Sequence, residues 1–311
     1  MLPVRRLLLL PLLLVLSLTA CAERQKDASA ESANTDGFPV ELRPEGAPAI
    51  TLEERPERIV SLSPATTETL YAVGAGDQVV AVDEMSTVPE EAPRTQMSGL
   101  NPDPEQLASY DPDLVIVDSD TDGKLTEALD KADIQTLVLP APQTLESMYA
   151  QFELIGEATG HAEEGADLAR RTREEIDKLV ADVGDAGEGL DYYHELDPSY
   201  YTVTSATFIG QVYDLFGLTN IADQGDPSAH GGYPQLSAER ILEADPDLIF
   251  LADTICCGQD ADSVAERPGW GTLSAVQNGH VIELDDDIAS RWTPRIVDFV
   301  RAVSDAVAQA A

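Results

Sequence analysis

The sequence predicts an α/β protein built from two similar lobes that a long helix joins. Three observations support this prediction: a helix–turn–strand phrase that occurs twice, a strand–helix–strand pattern ahead of each copy, and an amphipathic segment between the two halves. A chain of 311 residues is long enough to bury one large core or two moderate ones. We therefore expect two domains of the same class.

The repeated phrase places a glutamate, a Pro-Asp turn and a leucine in the same relative positions of each half. The first copy spans residues 105–117 and the second spans residues 239–251. In each copy the proline ends a short helix, because it lacks an amide donor and disfavours helical geometry in the residue before it. The apolar run that follows does not alternate with polar residues, which is typical of a strand covered on both faces.

A second pattern recurs ahead of the phrase and makes chance a poor explanation for either. Each half is predicted to contain a strand, a helix and a short returning strand. Pro64 suits the first turn of the first helix, and Gly74 suits its C-terminal cap. The elements are expected at residues 58–63, 65–74 and 79–82, and again at residues 201–205, 206–217 and 219–223.

The segment between the halves is predicted to be helical. Residues 162–183 place Ala169, Thr172 and Ile176 on one face at helical spacing. A helix of this length extends for about 33 Å, which is enough to reach from one lobe to the other. We therefore expect an N-terminal lobe at residues 39–144, a helical connection at residues 145–184 and a C-terminal lobe at residues 185–311.

The N-terminus has the features of a secretory signal at residues 1–20. Arg5 and Arg6 precede an apolar run that is too short for an ordinary transmembrane helix. The Leu-Thr-Ala-Cys sequence that follows looks like a bacterial lipobox, in which Cys21 is lipidated and becomes the first mature residue. The next residues are small and polar, so residues 21–38 are expected to form a flexible tether.

The charge is strongly acidic. The chain carries 57 acidic and 19 basic residues, for a net charge of −38. Such a surface argues against binding to nucleic acid and against direct adsorption on anionic lipid. A solvated acidic surface, as in salt-tolerant bacteria, accounts for the charge without a functional role.

Two of the three cysteines are adjacent. Because free thiols do not persist in an oxidising compartment, we expect Cys256 and Cys257 to form a vicinal disulfide in a loop at the end of a strand. A zinc site is disfavoured, since no CxxC pair or histidine cluster accompanies them.

No catalytic constellation stands out in the sequence. HExxH, P-loop and Gly-x-Ser-x-Gly motifs are absent. The Asp-Asp-Asp run at residues 285–287 is better interpreted as a solvated turn than as a cation site, so we expect no metal site and no cofactor of the protein's own. His230 is the histidine with a candidate binding role, because Gly231 and Gly232 beside it allow close backbone approach to a ligand.

This ordered set of motifs resembles the substrate-binding lipoproteins of ABC importers for cobalamin, ferric siderophores and haem. The lipobox, the Arg-Ile-Val-Ser-Leu-Ser-Pro-Ala-Thr-x-Glu opening at residues 58–68, both phrases, the linking helix and residues 270–295 carry the resemblance, which covers residues 40–309. The resemblance implies an α/β fold of two Rossmann-like lobes joined by a single long interdomain helix. It also implies a ligand cleft between the lobes.

The resemblance further implies an extracytoplasmic, lipid-anchored protein that captures a metal chelate and delivers it to an ABC permease dimer with its ATPase. A cobalamin-type corrinoid is the first candidate ligand, a ferric siderophore the second and haem the third. We expect a monomer that breaks no bond and contacts the membrane through its lipid alone. The alternative of a different class is a two-lobed metal-dependent hydrolase or oxidoreductase, which the lack of clustered ligands or a nucleophile–base pair disfavours.

Two glutamates at the head of the repeated phrase acquire a role from the resemblance. In the family an acidic residue on each lobe docks onto arginines of the two permease subunits, and Glu105 and Glu239 occupy those positions. The alternative is that the helix dipole alone favours a glutamate at each helix N-terminus.

The resemblance also implies where the ligand residues lie. The candidates are Met85, Asp118, Tyr200, Phe208, His230, Tyr233, Asp287, Arg291 and Trp292. Corrinoid binders usually carry aromatic residues where Met85 and Asp118 stand here. The four-residue spacing of Asp287 and Arg291 matches the cobalamin type, whereas Arg291 with Trp292 also fits siderophore binders. His230 and Tyr233 are the candidates for axial ligation of haem.

Overall fold

The computed structural model describes residues 37–224 and 228–311. The predicted signal at residues 1–20, the lipidation site Cys21 and nearly all of the tether lie outside the described residues. No helix within residues 37–224 and 228–311 combines the length and the apolar character that crossing a membrane requires.

The N-terminal lobe contains a four-stranded parallel sheet. A small antiparallel hairpin precedes it, formed by β1 (Val40–Leu42) and β2 (Ile50–Leu52). The sheet strands are β3 (Ile59–Ser61), β4 (Val79–Val82), β5 (Leu114–Val117) and β6 (Gln135–Val138), and their spatial order is β4-β3-β5-β6. Its helices are α1 (Pro64–Ala72), α2 (Pro104–Ala108) and α3 (Lys124–Asp130). The Pro-Asp phrase thus turns α2 into the buried strand β5, as predicted.

Two helices connect the lobes as an antiparallel pair. They are α4 (Leu145–Thr159) and α5 (Ala162–Val183), and the second has the bounds that the sequence predicts. Their backbones touch at Gly156 and Gly165, where an added Cβ on Gly156 would lie 2.9 Å from the Gly165 Cα. Helix α4 packs on α1 and β1 of the N-terminal lobe, whereas α5 packs on the final helix of the chain.

The C-terminal lobe repeats the same sheet. Its strands are β7 (Asp191–Glu195), β8 (Thr219–Asn220), β9 (Leu248–Leu251) and β10 (Val281–Glu283), all parallel, in the order β10-β9-β7-β8. Its helices are α6 (Phe208–Asp214), α7 (Ala238–Ala244), α8 (Thr254–Cys257), α9 (Ala261–Glu266), α10 (Ser274–Asn278), α11 (Asp286–Ala289) and α12 (Ile296–Ala310). The predicted boundary at residue 144 falls just before α4, and the one at residue 184 falls in the 3-10 turn Gly184–Gly187 that follows α5; we retain both as proposed divisions.

The aspartate of each Pro-Asp turn accepts an equivalent backbone hydrogen bond in both lobes. The Asp113 carboxylate accepts a hydrogen bond from the backbone N–H of Arg58 at 3.1 Å, just before β3. The Asp247 carboxylate accepts one from the N–H of Asp191 at 3.0 Å, at the start of β7. Each aspartate thus ties the start of the third strand of its sheet to the start of the first, which confirms that the repeated phrase marks a repeated fold.

The opening strand of the C-terminal lobe was placed wrongly by the sequence pattern. Residues 201–205 form no strand beyond one bridge from Tyr201 to Gln235, and the central strand is β7 instead. Its sequence, Asp-Tyr-Tyr-His-Glu, ends in ionisable residues that normally argue against burial. His194 and Glu195 are nevertheless fully buried, because each bonds a polar partner inside the lobe.

One hydrophobic cluster runs through both lobes. It joins apolar residues of α1 and β5 to residues of α4 and α5, and continues into β7, β9 and α12. Each lobe has a second, smaller cluster on the other face of its sheet. The two lobes therefore share a core along one side of their sheets.

The predicted disulfide is not formed in the structure. Cys256 and Cys257 are free and exposed, and they lie in the short helix α8 rather than in a loop. Adjacent residues of a helix do not face each other, so this conformation does not favour the bond. The Asp286 carboxylate holds the turn in place by accepting a hydrogen bond from the Cys256 N–H at 2.7 Å.

Candidate functional site

A cavity of about 1000 Å³ opens at the carboxyl edge of the N-terminal sheet. Ligands of open parallel sheets bind at this edge, where successive strands end in loops. The loops after β3, β4 and β5 and the start of α3 supply the wall, together with residues 98–104. From the C-terminal lobe, Arg291 is the lining residue among those that the structure describes.

Two aspartates stand at this edge directly after β4 and β5, the two strands that flank β3. Asp83 follows β4 and Asp118 lies one residue beyond β5. The Asp83 carboxylate accepts a hydrogen bond from the Ser86 N–H at 3.0 Å, which fixes the turn after β4. Gly99 packs against this turn so closely that an added Cβ would lie 2.6 Å from the Leu62 carbonyl oxygen. Any larger residue at Gly99 would push the cavity wall apart.

The two aspartates are poorly compensated. Burial raises the pKa of Asp118 to about 6, the nearby Asp83 carboxylate adds to the rise, and a hydrogen bond from Ser63 opposes it. Burial also raises the pKa of Asp83, against hydrogen bonds from Ser86 and the charge of Arg291. One Asp118 oxygen, Oδ1, is buried without a hydrogen-bond partner among the described residues. The aspartate carboxylate oxygens at this edge can therefore accept further hydrogen bonds.

The two cations of the cavity wall are already paired. Lys124 bonds the Asp122 carboxylate, and Arg291 bonds the Asp287 carboxylate at 2.6 Å. Arg291 still has one nitrogen, Nη1, that is buried and has no partner in residues 37–224 and 228–311. The lining thus contains two carboxyl groups, Asp83 and Asp118, without an ion-pair partner among the described residues, whereas both of its cationic side chains are paired.

Apolar side chains stand at the rim of the cavity. Leu100 is 93% exposed and Met85 is 56% exposed, although both are large and hydrophobic. Both line the cavity, as do Pro102 and Pro104. Exposed apolar groups around a concavity are typical of a binding site, because a ligand can cover them.

Four of the predicted ligand residues lie at or beside the cavity. Met85, Asp118 and Arg291 line it, and Asp287 pairs with Arg291. Trp292 is partly buried and packs against the shared hydrophobic cluster.

Trp292 and the remaining four predicted ligand residues lie outside the cavity lining. Phe208 is buried and belongs to the shared core. Tyr200 stacks on Trp270 with ring centroids 5.6 Å apart, in the smaller C-terminal cluster. His230 and Tyr233 are exposed. The close backbone approach predicted beside His230 is made within the chain, since the Thr204 N–H donates to the Gly232 carbonyl oxygen at 2.9 Å.

Sequence reasoning missed Asp83, Gly99 and Leu100. Asp83 carried a usable signal, because it follows a predicted strand in the same way as Asp118 does. Gly99 and Leu100 lie in a stretch without regular secondary structure, and neither spacing nor residue type marks them in advance.

The same edge of the C-terminal sheet is filled. Arg267 binds the fully buried Glu195 carboxylate in a bidentate pair, with distances of 2.7 and 2.5 Å. The guanidinium group of Arg267 also lies 4.6 Å from the ring centroid of Trp270. Asp253, which follows β9, is fully buried beside Glu195. Burial and the neighbouring Glu195 carboxyl raise the pKa of Asp253 to about 7.

Glu105 and Glu239 occupy equivalent places on the two lobes. Each lies in the first turn of the helix that opens the repeated phrase, and each is exposed. The Asp103 side chain caps α2 through the Glu105 N–H at 2.9 Å, and the Ser237 side chain caps α7. Because the caps already satisfy the helix ends, neither glutamate carboxylate is needed for that purpose.

No group of three histidine, cysteine or acidic side chains in the described part of the chain is arranged to hold a metal ion.

Residues 59–288 match the family described as periplasmic binding protein. An uncharacterised ABC transporter substrate-binding lipoprotein of Bacillus subtilis is 28% identical over 91% of this chain and 90% of its own length. A cobalamin-binding protein of Halobacterium salinarum is 29% identical over 92% of this chain and 79% of its own length. The long match to a lipoprotein agrees with the predicted class.

A solved structure supports the same assignment. The periplasmic vitamin B12-binding protein of Vibrio cholerae is 27% identical, with a TM-score of 0.66 over 82% of this chain and 98% of its own. All three relatives are named as binding proteins rather than as enzymes, and the one from Bacillus subtilis is named for an ABC transporter. The fold, the cavity at a sheet edge and the match over residues 59–288 agree, and the chain belongs to the periplasmic binding protein family.

Proposed function

We propose that this protein captures a cobalamin-type corrinoid in the cavity at the edge of the N-terminal sheet and delivers it to an ABC permease. The observation that carries the proposal is the chemistry of the wall, where two carboxyl groups without an ion-pair partner among the described residues stand inside an apolar rim. The relatives named for cobalamin and vitamin B12 support the same choice.

The charges of the wall select among metal chelates. A corrin ring carries primary amides around its edge, and their N–H groups can donate to Asp83 and Asp118. Haem carries propionates and catecholate siderophores are polyanions, so each would need unpaired cations. Lys124 and Arg291 are both paired with carboxylates. An anionic chelate would therefore meet the two carboxyl groups of Asp83 and Asp118 and, from these two cations, only the one unpaired nitrogen of Arg291.

A neutral or cationic ferric siderophore is the second candidate. The same wall accepts a ligand without negative charge, and the exposed Leu100 and Met85 can cover an apolar chelate. Haem is disfavoured further because its candidate axial ligands, His230 and Tyr233, lie outside the cavity lining.

Calorimetric titration tests the choice of ligand. Cyanocobalamin should bind most tightly, ferrioxamine B more weakly, and haemin without saturation. Asp118→Ala should weaken cyanocobalamin binding about tenfold, since a hydrogen bond to a charged acceptor contributes about 1.5–3 kcal/mol. Asp130→Ala, at an exposed position at the end of α3, is the matched control and should leave the affinity unchanged. Tightest binding of haemin would refute the proposal.

Glu105 and Glu239 are proposed to dock onto the two permease subunits. Both are exposed in the first turn of equivalent helices, so each lobe can contact one subunit of a symmetric partner at the same time. Glu105→Arg or Glu239→Arg should abolish uptake while the ligand affinity stays unchanged. Glu163→Arg, on the exposed face of α5, should leave uptake intact. Loss of ligand affinity in either docking variant would point to a structural role instead.

The protein is proposed to act as a monomer outside the cytoplasmic membrane, anchored through a lipid on Cys21. The lipobox pattern of the sequence and the relative named as a lipoprotein support the anchor. Metabolic labelling with a radioactive fatty acid should tag the wild-type protein and not Cys21→Ser. Labelling of both proteins, or of neither, would contradict the assignment.

A further inference from the structure

Arg291 reaches the cavity from a short segment of the C-terminal lobe. The segment runs from α11 to the start of α12, and Arg291 lies near its middle. The other residues that line the cavity belong to the N-terminal lobe. The position of this arginine relative to Asp83 and Asp118 therefore depends on how the segment is held against the opposite lobe.

Arg295 holds the end of that segment to the N-terminal lobe. Its Nε and Nη2 donate to the two oxygens of the Glu68 carboxylate, each at 2.7 Å. Glu68 lies on α1 and its side chain is 5% exposed, whereas the Arg295 side chain is 28% exposed. Both hydrogen bonds of this bidentate pair cross between lobes, so the pair fixes direction as well as distance.

Both partners are themselves anchored. The Ser63 side chain caps α1, and the next residue, Pro64, lines the cavity, so Glu68 belongs to a helix that begins at the site. Arg295 donates its N–H to the hydroxyl of the buried Thr293 at 3.1 Å, immediately before α12. The ion pair thus joins a capped helix to a residue that has a local backbone hydrogen bond, at a point four residues from Arg291.

Arg291 is left with one donor free. Asp287 pairs with its Nη2 at 2.6 Å, while Nη1 is buried and finds no partner in the described residues. A buried, unpartnered donor at a cavity wall is an expected point of contact with a ligand acceptor.

We propose that Glu68 and Arg295 form a positioning pair for ligand binding. They hold the segment against the N-terminal lobe so that the free donor of Arg291 meets the ligand. The role of the pair in affinity rests on the proposed function, but its role in holding the segment does not. Arg295 acts through Arg291 and does not touch the ligand itself.

The first measurement needs no ligand. Trp292 lies inside the segment and is partly buried, whereas Trp270 is fully buried in the C-terminal lobe. Acrylamide quenching of tryptophan fluorescence therefore reports mainly on the segment. Glu68→Gln should increase the quenching constant at least twofold. A control change at the exposed Glu163 should leave it unchanged. Unchanged quenching in Glu68→Gln would overturn the proposal.

The second measurement is a double-mutant cycle on cyanocobalamin affinity. Glu68→Gln and Arg291→Met should each raise Kd about tenfold, and the double variant should bind no more weakly than Arg291→Met alone. This non-additivity is expected because the pair acts only through Arg291. Two independent, additive losses would overturn the positioning role. A wild-type protein that shows no binding would refute the proposed ligand and leave the quenching result to decide on the pair.

A double variant that leaves no unpaired charge in the interface controls for misfolding of the single variants. Replacing both partners, as Glu68→Met with Arg295→Met, removes the ion pair without leaving one charge alone in the interface. It should fold and show the same increase in quenching as Glu68→Gln. Wild-type quenching in the folded double variant would show that packing alone holds the segment, and would overturn the proposal.

Discussion

The two lobes have similar sheets, but the carboxyl edge is open in the N-terminal sheet and filled in the C-terminal sheet. At the carboxyl edge of the N-terminal sheet, Asp83 and Asp118 face a cavity of about 1000 Å³. At the same edge of the C-terminal sheet, Arg267 and Glu195 fill the space with a bidentate ion pair. Of two similar lobes, one therefore has an open edge, where we propose that the ligand binds, and the other has an edge closed by its own side chains.

Strand register shows how small the difference is. Ser61 pairs with Ile116 in one lobe as His194 pairs with Phe250 in the other, so the next residues, Leu62 and Glu195, correspond. Leu62 lines the cavity, whereas Glu195 binds the guanidinium group that closes the equivalent edge. At this one equivalent position, the N-terminal lobe has an apolar wall residue and the C-terminal lobe has a member of an internal ion pair.

Breaking the closed edge should have the largest effect. Arg267→Met leaves Glu195 buried without its cation, and such a loss costs about 3–5 kcal/mol of unfolding free energy. Denaturant unfolding measures it. The double variant Arg267→Met with Glu195→Leu, which installs the leucine of the open lobe, should recover most of the loss. A double variant as unstable as the single one would show that the edge closes for another reason.

Asp118 at the open edge should make the stability of the protein depend on pH. Because the pKa of Asp118 is raised to about 6 in the folded chain, the folded state binds this proton more tightly than the unfolded state does. Stability should therefore fall as pH rises from about 4 to about 6, by up to about 3 kcal/mol. Asp118→Asn removes this dependence, so its advantage over the wild type should grow across that window in urea unfolding. A difference that stays constant with pH would contradict the uncompensated edge.

The comparison between the two edges also assumes that the lobes keep a fixed position relative to each other. An added methyl group at Gly156 would lie 2.7 Å from the His161 carbonyl oxygen and would separate α4 from α5. Gly156→Ala should cost about 1–3 kcal/mol of unfolding free energy. Glu157→Ala, at an exposed position on the same helix, should change it by less than about 0.5 kcal/mol. Equal stabilities of the two variants would mean that the helices can separate without cost.

The smallest effect is expected at the outer wall of the open edge. The Lys124 side chain is 81% exposed and already paired with Asp122. Because solvent screens so exposed a pair, Lys124→Gln should change the cyanocobalamin Kd by less than about threefold. A larger loss would show that Lys124 contacts the ligand and that the wall does offer a cation.

The sequence was sufficient for the parts of the fold that repeat. The Pro-Asp phrases locate β5 and β9, and the amphipathic pattern gives α5 its bounds. It was insufficient for β7, because a buried His194 or Glu195 is stable only through partners from distant parts of the chain, Tyr213 and Arg267. Periodicity describes one segment at a time and contains no information on such partners.

The same limit applies to the site. Asp118 and Arg291 could be named because the family resemblance places ligand residues in their loops, but a shared cavity wall is a property of the folded chain. The positions of Phe208 and Tyr200 outside the lining could not be predicted for the same reason. An aromatic residue near a strand end can face the core as easily as the ligand, and packing decides which. Gly99 is required only because two loops meet there.

The hydrophobic cluster that passes through both lobes has a consequence for their independence. Since α4 and α5 contribute apolar side chains to it along with β5 and β9, neither lobe can be cut away without exposing the face it shares. The molecule should therefore unfold in a single cooperative transition, and a fragment ending at residue 144 should aggregate rather than fold. Exchange of one lobe with that of a relative would succeed only if the helical connection travelled with it.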